Sequence, residues 1–183
     1  MSNTATVLAF DFGASSGRAI RAVYDGQNLT YEEIHRFENV PIEKDGHLCW
    51  DVETLLKEIH TAIQKAGTFD SLGFDTWGVD FGLLDADGHL LANSVHYRDA
   101  RTNGKPEQAA ARMPAEELYA HTGNQIMAIN TLFQLLALRE QDPELLQKAE
   151  HILFMPDLFA ALLGAEPVCE RSIASTSQML DPR

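Results

Sequence analysis

The stretch that decides the fold is Val7-Leu8-Ala9-Phe10-Asp11-Phe12-Gly13-Ala14-Ser15-Ser16-Gly17-Arg18. Its first four residues, Val7 to Phe10, are apolar and typical of a short buried strand. After Asp11 comes a turn rich in glycine and serine, and from Arg18 to Tyr24 the sequence resumes the character of a strand. Two strands around a tight glycine turn predict an antiparallel pair with a polar loop at one end.

The elements that flank this pair define the fold class. A turn at Asp25-Gly26 leads into a third strand, Leu29 to Phe37. A helix from about Val52 to Ala66 then precedes a fourth strand, Leu72 to Asp75. Because a helix-length crossover joins parallel strands, we expect the fourth strand to lie parallel to the first. This order predicts an α/β fold of the ribonuclease H-like type, with a mixed sheet and flanking helices, rather than a dinucleotide-binding fold.

The rest of the chain contains more helix, and we treat residues 1–183 as one domain. A further hairpin is expected from Val79 to Leu84 and Leu90 to Ala92, around Asp87-Gly88. The remaining expected elements are the helices Glu107 to Arg112, Glu116 to His121, Thr131 to Arg139 and Pro156 to Leu163, and the strand Ile152 to Phe154.

The composition excludes several classes of protein. Hydrophobic residues make up 45% of the chain, enough for a sizeable core, and the formal net charge is −13. Such a surface repels nucleic-acid backbones and anionic lipids, so neither is an expected partner. The two cysteines, Cys49 and Cys169, are expected to be reduced thiols. Because Asp11 interrupts the first apolar run and no basic segment precedes it, we expect a cytoplasmic protein without a signal peptide.

The loop after the first strand is a candidate phosphate site. Gly13 and Gly17 permit positive φ angles and a close approach of the backbone to a ligand, so the loop amides could form an anion-binding nest. Ser15 and Ser16 add hydroxyl donors, and the guanidinium of Arg18 suits phosphate oxygens. Asp11 could hold a hydrated Mg²⁺. The alternative is an ordinary hairpin turn, since the loop lacks the lysine of a P-loop.

Two further segments are candidates for a sugar site. At the end of the fourth strand, Trp77 could form an aromatic wall, Gly78 leaves space, and Asp75 and Asp80 could accept hydrogen bonds from sugar hydroxyls. The alternative is a turn with a packed tryptophan. The second segment combines Tyr97, Asp99 and Arg101, which could shape a pocket rim or form a structural ion-pair network. The seven histidines show no zinc-binding spacing.

Six segments together resemble the FGGY family of carbohydrate kinases. They follow one another along essentially the whole chain in the order expected for that family. The segments are Ala9 to Arg18, Glu33 to Phe37, Thr76 to Phe81, Tyr97 to Gly104, Asn130 to Leu135 and Met155 to Asp157.

The resemblance implies an actin/hexokinase-like fold and an ATP-dependent sugar kinase. It places Ala14 to Arg18 against the phosphates of ATP and Asp11 at Mg²⁺. It also places Gly78 and Trp77 beside a ketose, with Tyr97, Asp99 and Arg101 near the sugar. Ala128-Ile129 departs from the family, whose members often carry a proline and an aromatic residue there.

The resemblance also implies that residues 1–183 are only the N-terminal part of a kinase. The family's general base is an aspartate in a segment expected beyond Arg183, and the domain that binds adenine is expected there too. We therefore assign no catalytic base here and expect the chain alone to be inactive, with the missing half as a partner. Two alternatives stay open: a non-catalytic, actin-like nucleotide-binding or assembly module, and a self-contained kinase with Asp75 or Asp80 as its base.

Overall fold

The structure is a computed structural model that describes residues 4–181 and 183. Its strands are β1 (Ala5–Phe12), β2 (Ser16–Tyr24), β3 (Leu29–Glu38), β4 (Ile42–Lys44), β5 (His47–Cys49), β6 (Ser71–Asp75), β7 (Phe81–Leu84) and β8 (His151–Phe154). Its helices are α1 (Val52–Ala66), α2 (Lys105–Ala110), α3 (Ala115–Thr122), α4 (Thr131–Gln141), α5 (Pro143–Lys148), α6 (Met155–Leu162) and α7 (Arg171–Ala174).

The chain forms two compact units. The first contains Met1–Pro41 and Asp51–Trp77, and the second contains Ile42–Trp50 and Gly78–Arg183. Each unit therefore includes residues that are distant in sequence. Within the described residues, no helix is both long and apolar enough to cross a membrane.

The first unit contains one four-stranded sheet with the order β3-β2-β1-β6. Strands β1, β2 and β3 are antiparallel neighbours, and β6 lies parallel to β1. The alternation of side chains buries Leu8, Phe10 and Phe12 from β1 on one face. The predicted topology of three antiparallel strands plus a parallel fourth is therefore confirmed.

Helix α1 is the crossover between β3 and β6. Asp51 caps it by accepting a hydrogen bond from the Thr54 amide at 3.1 Å, and Gly67 ends it with a φ of 66°. Its buried residues recur at helical spacing, which places them on one face: Val52, Leu55, Ile59, Ala62 and Ala66. The helix packs against β2 and β3.

In the second unit, two short strands and a following segment form a small antiparallel layer. Strands β4 and β5 pair around a turn in which Asp45 and Gly46 both have positive φ angles, 52° and 81°. The amide of Trp50 donates to the Ser94 carbonyl at 2.9 Å, and the His96 amide donates to the Leu48 carbonyl at 2.9 Å. These bonds attach residues 94–96 to the edge of β5.

The other sheet of the second unit pairs β7 with β8. They are antiparallel, with Phe81 opposite Phe154. The predicted hairpin between Val79–Leu84 and Leu90–Ala92 is present but short: the Asp85 amide donates to the His89 carbonyl at 3.0 Å, and the Leu91 amide donates to the Leu83 carbonyl at 2.9 Å. The Asp85 carboxylate accepts bonds from the Asp87 and His89 amides, and Leu90 forms only one bridge, to Leu84. All four residues of β7 are buried, and β8 supplies the apolar partner that they require.

The predicted helices of the second half are confirmed with small shifts in their ends. Helix α2 begins at Lys105 rather than Glu107, and α4 extends to Gln141 rather than Arg139. Helix α5 was not predicted. The Asp142 carboxylate caps it by accepting from the Leu145 amide at 2.9 Å, and Pro143 occupies its first turn.

Candidate functional site

The loop between β1 and β2, in the first unit, is a closed hairpin connection. The Gly13 amide donates to the Ser16 carbonyl at 2.8 Å. Asn39, at the end of β3, holds the loop from outside: its amide donates to the Ser15 carbonyl at 3.0 Å and its side chain to the Gly13 carbonyl at 2.9 Å. Gly13, Ala14 and Ser15 are exposed. The loop is thus fixed by the backbone and open to a ligand.

The two glycines of the loop serve a different purpose from the predicted one. Neither Gly13 nor Gly17 has a positive φ angle, so the expectation that they supply left-handed backbone for a nest is wrong. Gly17 is required by packing instead. A Cβ atom on Gly17 would lie 2.3 Å from Cζ and 2.4 Å from Cε2 of Phe37, far inside van der Waals contact.

Asp11 and Arg18 form an ion pair at the base of the loop. They are direct partners across β1 and β2, and the guanidinium of Arg18 donates twice to Oδ2 of Asp11, at 2.8 Å from Nε and 2.7 Å from Nη2. Both side chains are more than 40% exposed. Such an exposed pair is weak, so a phosphate or a hydrated cation could separate it at low cost.

The ends of β1 and β6 lie side by side in the first unit. Asp75 is the register partner of Asp11, and its side chain is exposed. Two residues later, Trp77 is half-buried, and the Thr76 hydroxyl donates to the Trp77 carbonyl at 2.9 Å. The chain passes into the second unit between Trp77 and Gly78.

In the second unit, the carboxylate of Asp80 is fully buried and accepts three hydrogen bonds. Oδ2 accepts from the Trp50 indole at 2.6 Å and the Tyr97 amide at 3.2 Å. Oδ1 accepts from the Gln134 side chain at 2.8 Å. The burial and these protein donors argue against a direct sugar contact by Asp80 and give it a supporting role. The structure therefore brings Tyr97 to the turn that contains Gly78.

Three aromatic rings pack next to that carboxylate. Trp50 stacks on His96 with ring centres 4.0 Å apart, and His96 lies 4.4 Å from the Tyr97 ring. The Arg98 guanidinium lies over the Tyr97 ring at 5.5 Å. Burial, with a smaller contribution from the charge of Arg98, lowers the pKa of His96 to about 4. His96 is therefore neutral at pH 7, and Nδ1 accepts from the Arg98 amide at 2.9 Å.

Asp99 is a second buried carboxylate in this unit. It accepts from the Leu48 amide at 2.8 Å, the Arg101 amide at 2.9 Å and the His47 ring at 3.1 Å. Burial alone would raise the pKa of Asp99, but these hydrogen bonds outweigh it and lower the pKa. The carboxylate thus stays ionised and joins β5 to the short 3₁₀ helix at Ala100–Thr102.

The guanidinium of Arg101 is attracted by the charges of both carboxylates. It donates to the Gln134 side chain at 2.8 Å. Burial lowers the pKa of Arg101, whereas attraction to Asp99 and Asp80 favours the charged form. Among the described residues, its buried Nε has no hydrogen-bond partner. This arrangement is a hydrogen-bonded network in which the charge of Arg101 attracts two carboxylates without a direct ion pair.

Arg101 also lines a cavity of about 390 Å³ in the second unit. Cys49 lies in the wall of this cavity, and burial raises the pKa of its thiol. Both Cys49 and the exposed Cys169 are free thiols, as predicted. The other lining residues are Lys44, Asp45, His47, Phe81, Gly82, Leu83, Leu91, Ala92, Asn93, Val95, Leu138, Gln141, Asp142 and Leu145.

Sequence reasoning missed the residues that organise the second unit's part of the site. Trp50 lies in none of the predicted motifs, and Gln134 lies only within the resembling segment Asn130 to Leu135. Both residues are uncharged, and both lie close to apolar residues of a predicted helix. No local pattern therefore marks them as partners of Asp80. Val79, whose φ angle is 66°, was likewise invisible, because valine rarely adopts left-handed backbone.

The residues present fit a nucleotide phosphate and a cation in the first unit. The carboxylate of Asp11 and the guanidinium of Arg18 are exposed beside an open loop with serine hydroxyls. A carboxylate with access to water is what hydrated Mg²⁺ requires, and a guanidinium suits phosphate oxygens.

Comparison with known sequences identifies the family. Residues 6–183 match the FGGY family of carbohydrate kinases, N-terminal domain. The rhamnulokinase of Pectobacterium atrosepticum is 42% identical over 96% of the chain, and that of Halalkalibacterium halodurans is 44% identical over 95%. The chain spans only 36% and 38% of the length of these two relatives.

Solved structures share the fold. A ligand-bound xylulose kinase from Lactobacillus acidophilus matches 96% of the chain, and 36% of its own length, with a TM-score of 0.78 and 18% identity. A gluconate kinase from the same organism matches 98% of the chain, and 37% of its own length, with a TM-score of 0.80 and 16% identity. The actin/hexokinase-like fold predicted from the sequence is thereby confirmed. The chain belongs to the FGGY family of carbohydrate kinases, whose N-terminal domain it matches over nearly its entire length.

Proposed function

We propose that this chain is the N-terminal part of an ATP-dependent ketose kinase that converts L-rhamnulose to L-rhamnulose 1-phosphate. The observation that carries the proposal is the 40–44% identity to three rhamnulokinases over at least 95% of the chain. The solved neighbours, at 16–19% identity, support the fold and not the choice of sugar.

The proposed reaction is a direct phosphoryl transfer. A sugar hydroxyl oxygen bonds to the γ-phosphorus as the bond from that phosphorus to the oxygen of ADP breaks. The proton of the hydroxyl passes to a base, which we place in a segment beyond Arg183. Such reactions depend on positioning and charge stabilisation, because little covalent chemistry is left to the protein.

In the proposed reaction the first unit handles phosphate. Asp11 would hold hydrated Mg²⁺, and the loop from Gly13 to Gly17, with Arg18, would bind phosphate oxygens. The exposure of this loop and the weak Asp11–Arg18 pair support that assignment. Trp77, two residues beyond β6, would contribute an aromatic surface to the ketose.

In the second unit, Gly78 and Tyr97 are the proposed sugar contacts. Asp80, Asp99 and Arg101 lie behind them in a hydrogen-bonded network and would hold them in place. This assignment changes Asp80 from a sugar ligand to a supporting residue, because its carboxylate is fully buried.

A chimera tests the proposal. Residues 1–183 are joined to the remaining C-terminal part of the Halalkalibacterium halodurans rhamnulokinase, to which they are 44% identical. ADP release is then measured with MgATP and L-rhamnulose, L-fuculose or D-xylulose. We expect turnover in the range of ordinary kinases, about 1–100 s⁻¹, with L-rhamnulose preferred. Equal turnover with all three ketoses would contradict the choice of sugar.

The chain alone and the C-terminal part alone are the matched controls. We expect neither to release ADP in a sugar-dependent manner, since general-base assistance alone contributes about 10²–10⁴-fold and domain orientation contributes more. Sugar-dependent turnover by residues 1–183 alone would show that Asp75, Asp80 or another residue here is a working base. A folded chimera that binds MgATP yet phosphorylates no ketose would favour a non-catalytic nucleotide-binding module.

A further inference from the structure

The turn that carries Gly78 has a strained backbone. Val79, a β-branched residue, has a φ angle of 66°, in the left-handed region that such residues avoid. The Asp80 amide donates to the Gly78 carbonyl at 2.9 Å, which closes a three-residue turn around Val79. A γ-turn with a left-handed central residue is rare and unfavourable, so other contacts must hold it in this conformation.

Two side chains of α4 hold the carbonyl group of Val79. The hydroxyl of Thr131, at the first position of the helix, donates to it at 2.7 Å, and the amide of Gln134 donates to it at 3.3 Å. Thr131 and Gln134 are both almost completely buried. The Gln134 nitrogen has only two hydrogens and makes shorter bonds to Asp80 and to the Ile129 carbonyl, at 2.8 and 2.9 Å. Thr131 is therefore the principal donor that holds the Val79 carbonyl.

Gln134 also connects the turn to the rest of the second unit. Its amide nitrogen donates to Oδ1 of Asp80 at 2.8 Å, and its oxygen accepts from Arg101 at 2.8 Å. Asp80 in turn accepts from the Tyr97 amide at 3.2 Å. The two proposed sugar contacts are thus tied to one residue: the Gly78 carbonyl accepts from the Asp80 amide, and the Tyr97 amide donates to the Asp80 carboxylate, which α4 holds through Gln134.

We propose that Thr131 and Gln134 are positioning residues that keep Val79 left-handed and thereby determine how tightly the Gly78–Tyr97 surface binds the ketose. This inference rests on the proposed function, since it takes Gly78 and Tyr97 as sugar contacts. Its physical basis is that an extended Val79 would rotate the amide and carbonyl groups of the turn. Small displacements of positioned groups weaken binding and catalysis strongly.

The test compares Thr131→Val with Thr131→Ser in the 183-residue chain. Valine keeps the shape of threonine but cannot donate to the Val79 carbonyl, whereas serine keeps the hydroxyl. Nuclear magnetic resonance reports the φ angle of Val79 through its HN–Hα coupling and carbon shifts. Titration with L-rhamnulose, followed at the amides of residues 78–80, gives the dissociation constant. Gln134→Met is measured in parallel and replaces Thr131→Val if that variant does not fold.

We expect Thr131→Val to lose the left-handed signature at Val79 and to weaken L-rhamnulose binding by up to about tenfold, the loss expected for one hydrogen bond. Thr131→Ser should remain within about twofold of the parent in binding. Equal dissociation constants for the parent and Thr131→Val would overturn the inference and leave the proposed function intact. A parent chain whose residues 78–80 do not respond to the sugar would overturn both.

Discussion

Gly17 lies in the candidate phosphate loop, but a glycine is needed at this position because of packing. Its backbone is directly below the Phe37 ring, so that a Cβ atom would come within 2.3 Å of Cζ. Phe37 is buried and makes an edge-on contact with Phe12, with ring centres 5.3 Å apart. The ring cannot move aside without losing that contact. We therefore expect Gly17→Ala to destabilise the chain.

The magnitude follows from overpacking and from lost burial. Forcing an extra methyl group into a packed site costs about 1–3 kcal/mol, and we place Gly17→Ala at about 2–3 kcal/mol because the clash is with a ring rather than a flexible chain. For a chain of this size that corresponds to a fall in Tm of about 4–12 °C. Removing the ring in Phe37→Ala should cost about 3–4 kcal/mol.

The double variant decides whether the ring is the cause. Independent effects would sum to about 5–7 kcal/mol, but a Cβ atom on residue 17 fits the space that Phe37→Ala vacates. We expect the double variant to cost only about 3–4 kcal/mol, a coupling of about 2–3 kcal/mol. Urea unfolding of the four proteins measures each value.

Gly73→Ala is the matched control, since Gly73 is in the same sheet and a Cβ atom there meets nothing within 4 Å. It should be neutral or slightly stabilising, because alanine restricts the unfolded chain more than glycine does. Gly17→Ala within about 0.5 kcal/mol of the parent, or additive effects in the double variant, would refute the packing argument.

Three further predictions concern the site. In the active chimera, Asp11→Ala should lower kcat at least about tenfold with little change in the sugar KM, because a metal-bound charge acts on the phosphoryl group; a parent-like kcat would disprove the metal role. In the same enzyme, Trp77→Ala should raise the sugar KM and leave the ATP KM unchanged, and the reverse pattern would exchange the two assignments. The depressed pKa of His96, about 4, makes the unfolded chain bind more protons below pH 6.5. The free energy of unfolding should therefore fall as the pH drops from 6.5 towards 4, by at most about 1.4 kcal/mol per pH unit from this group. His96→Asn should reduce that slope in urea unfolding series, and an unchanged slope would refute the assignment.

The sheet of the first unit was predictable because its strands are continuous and its turns are marked. Val7 to Phe10 is apolar, Asp25-Gly26 marks a turn, and the helix after Asp51 has a regular apolar face. Each signal lies within a few residues of the element it defines. The pairing of β7 with β8 shows the limit: the partner of Phe81 is Phe154, and no local pattern encodes a pairing across so much chain.

The candidate site was predictable in its residue types and not in its contacts. Asp80, Tyr97 and Arg101 were singled out as polar groups in otherwise apolar or turn-forming segments. Their partners, Trp50 and Gln134, are 30 and 54 residues away from Asp80 and lack any charge that would mark them. Which protein donors surround the Asp80 carboxylate is therefore determined by tertiary packing, not by local sequence.

The charge balance of the second unit explains why its candidate residues belong together. A buried carboxylate is costly unless hydrogen bonds or a cation compensate for lost water. Asp80 receives neutral donors directly and is attracted by Arg101, which also attracts Asp99. The hydrogen bonds to Asp99 lower its pKa, and the charge of Arg101 adds attraction to both carboxylates. Through Gln134, which accepts from Arg101 and donates to Asp80, Arg101 is also linked to the Tyr97 amide. The hydrogen-bonded network of this segment and its proposed role in shaping a sugar site are compatible, because the network holds the residues that are proposed to touch the ligand.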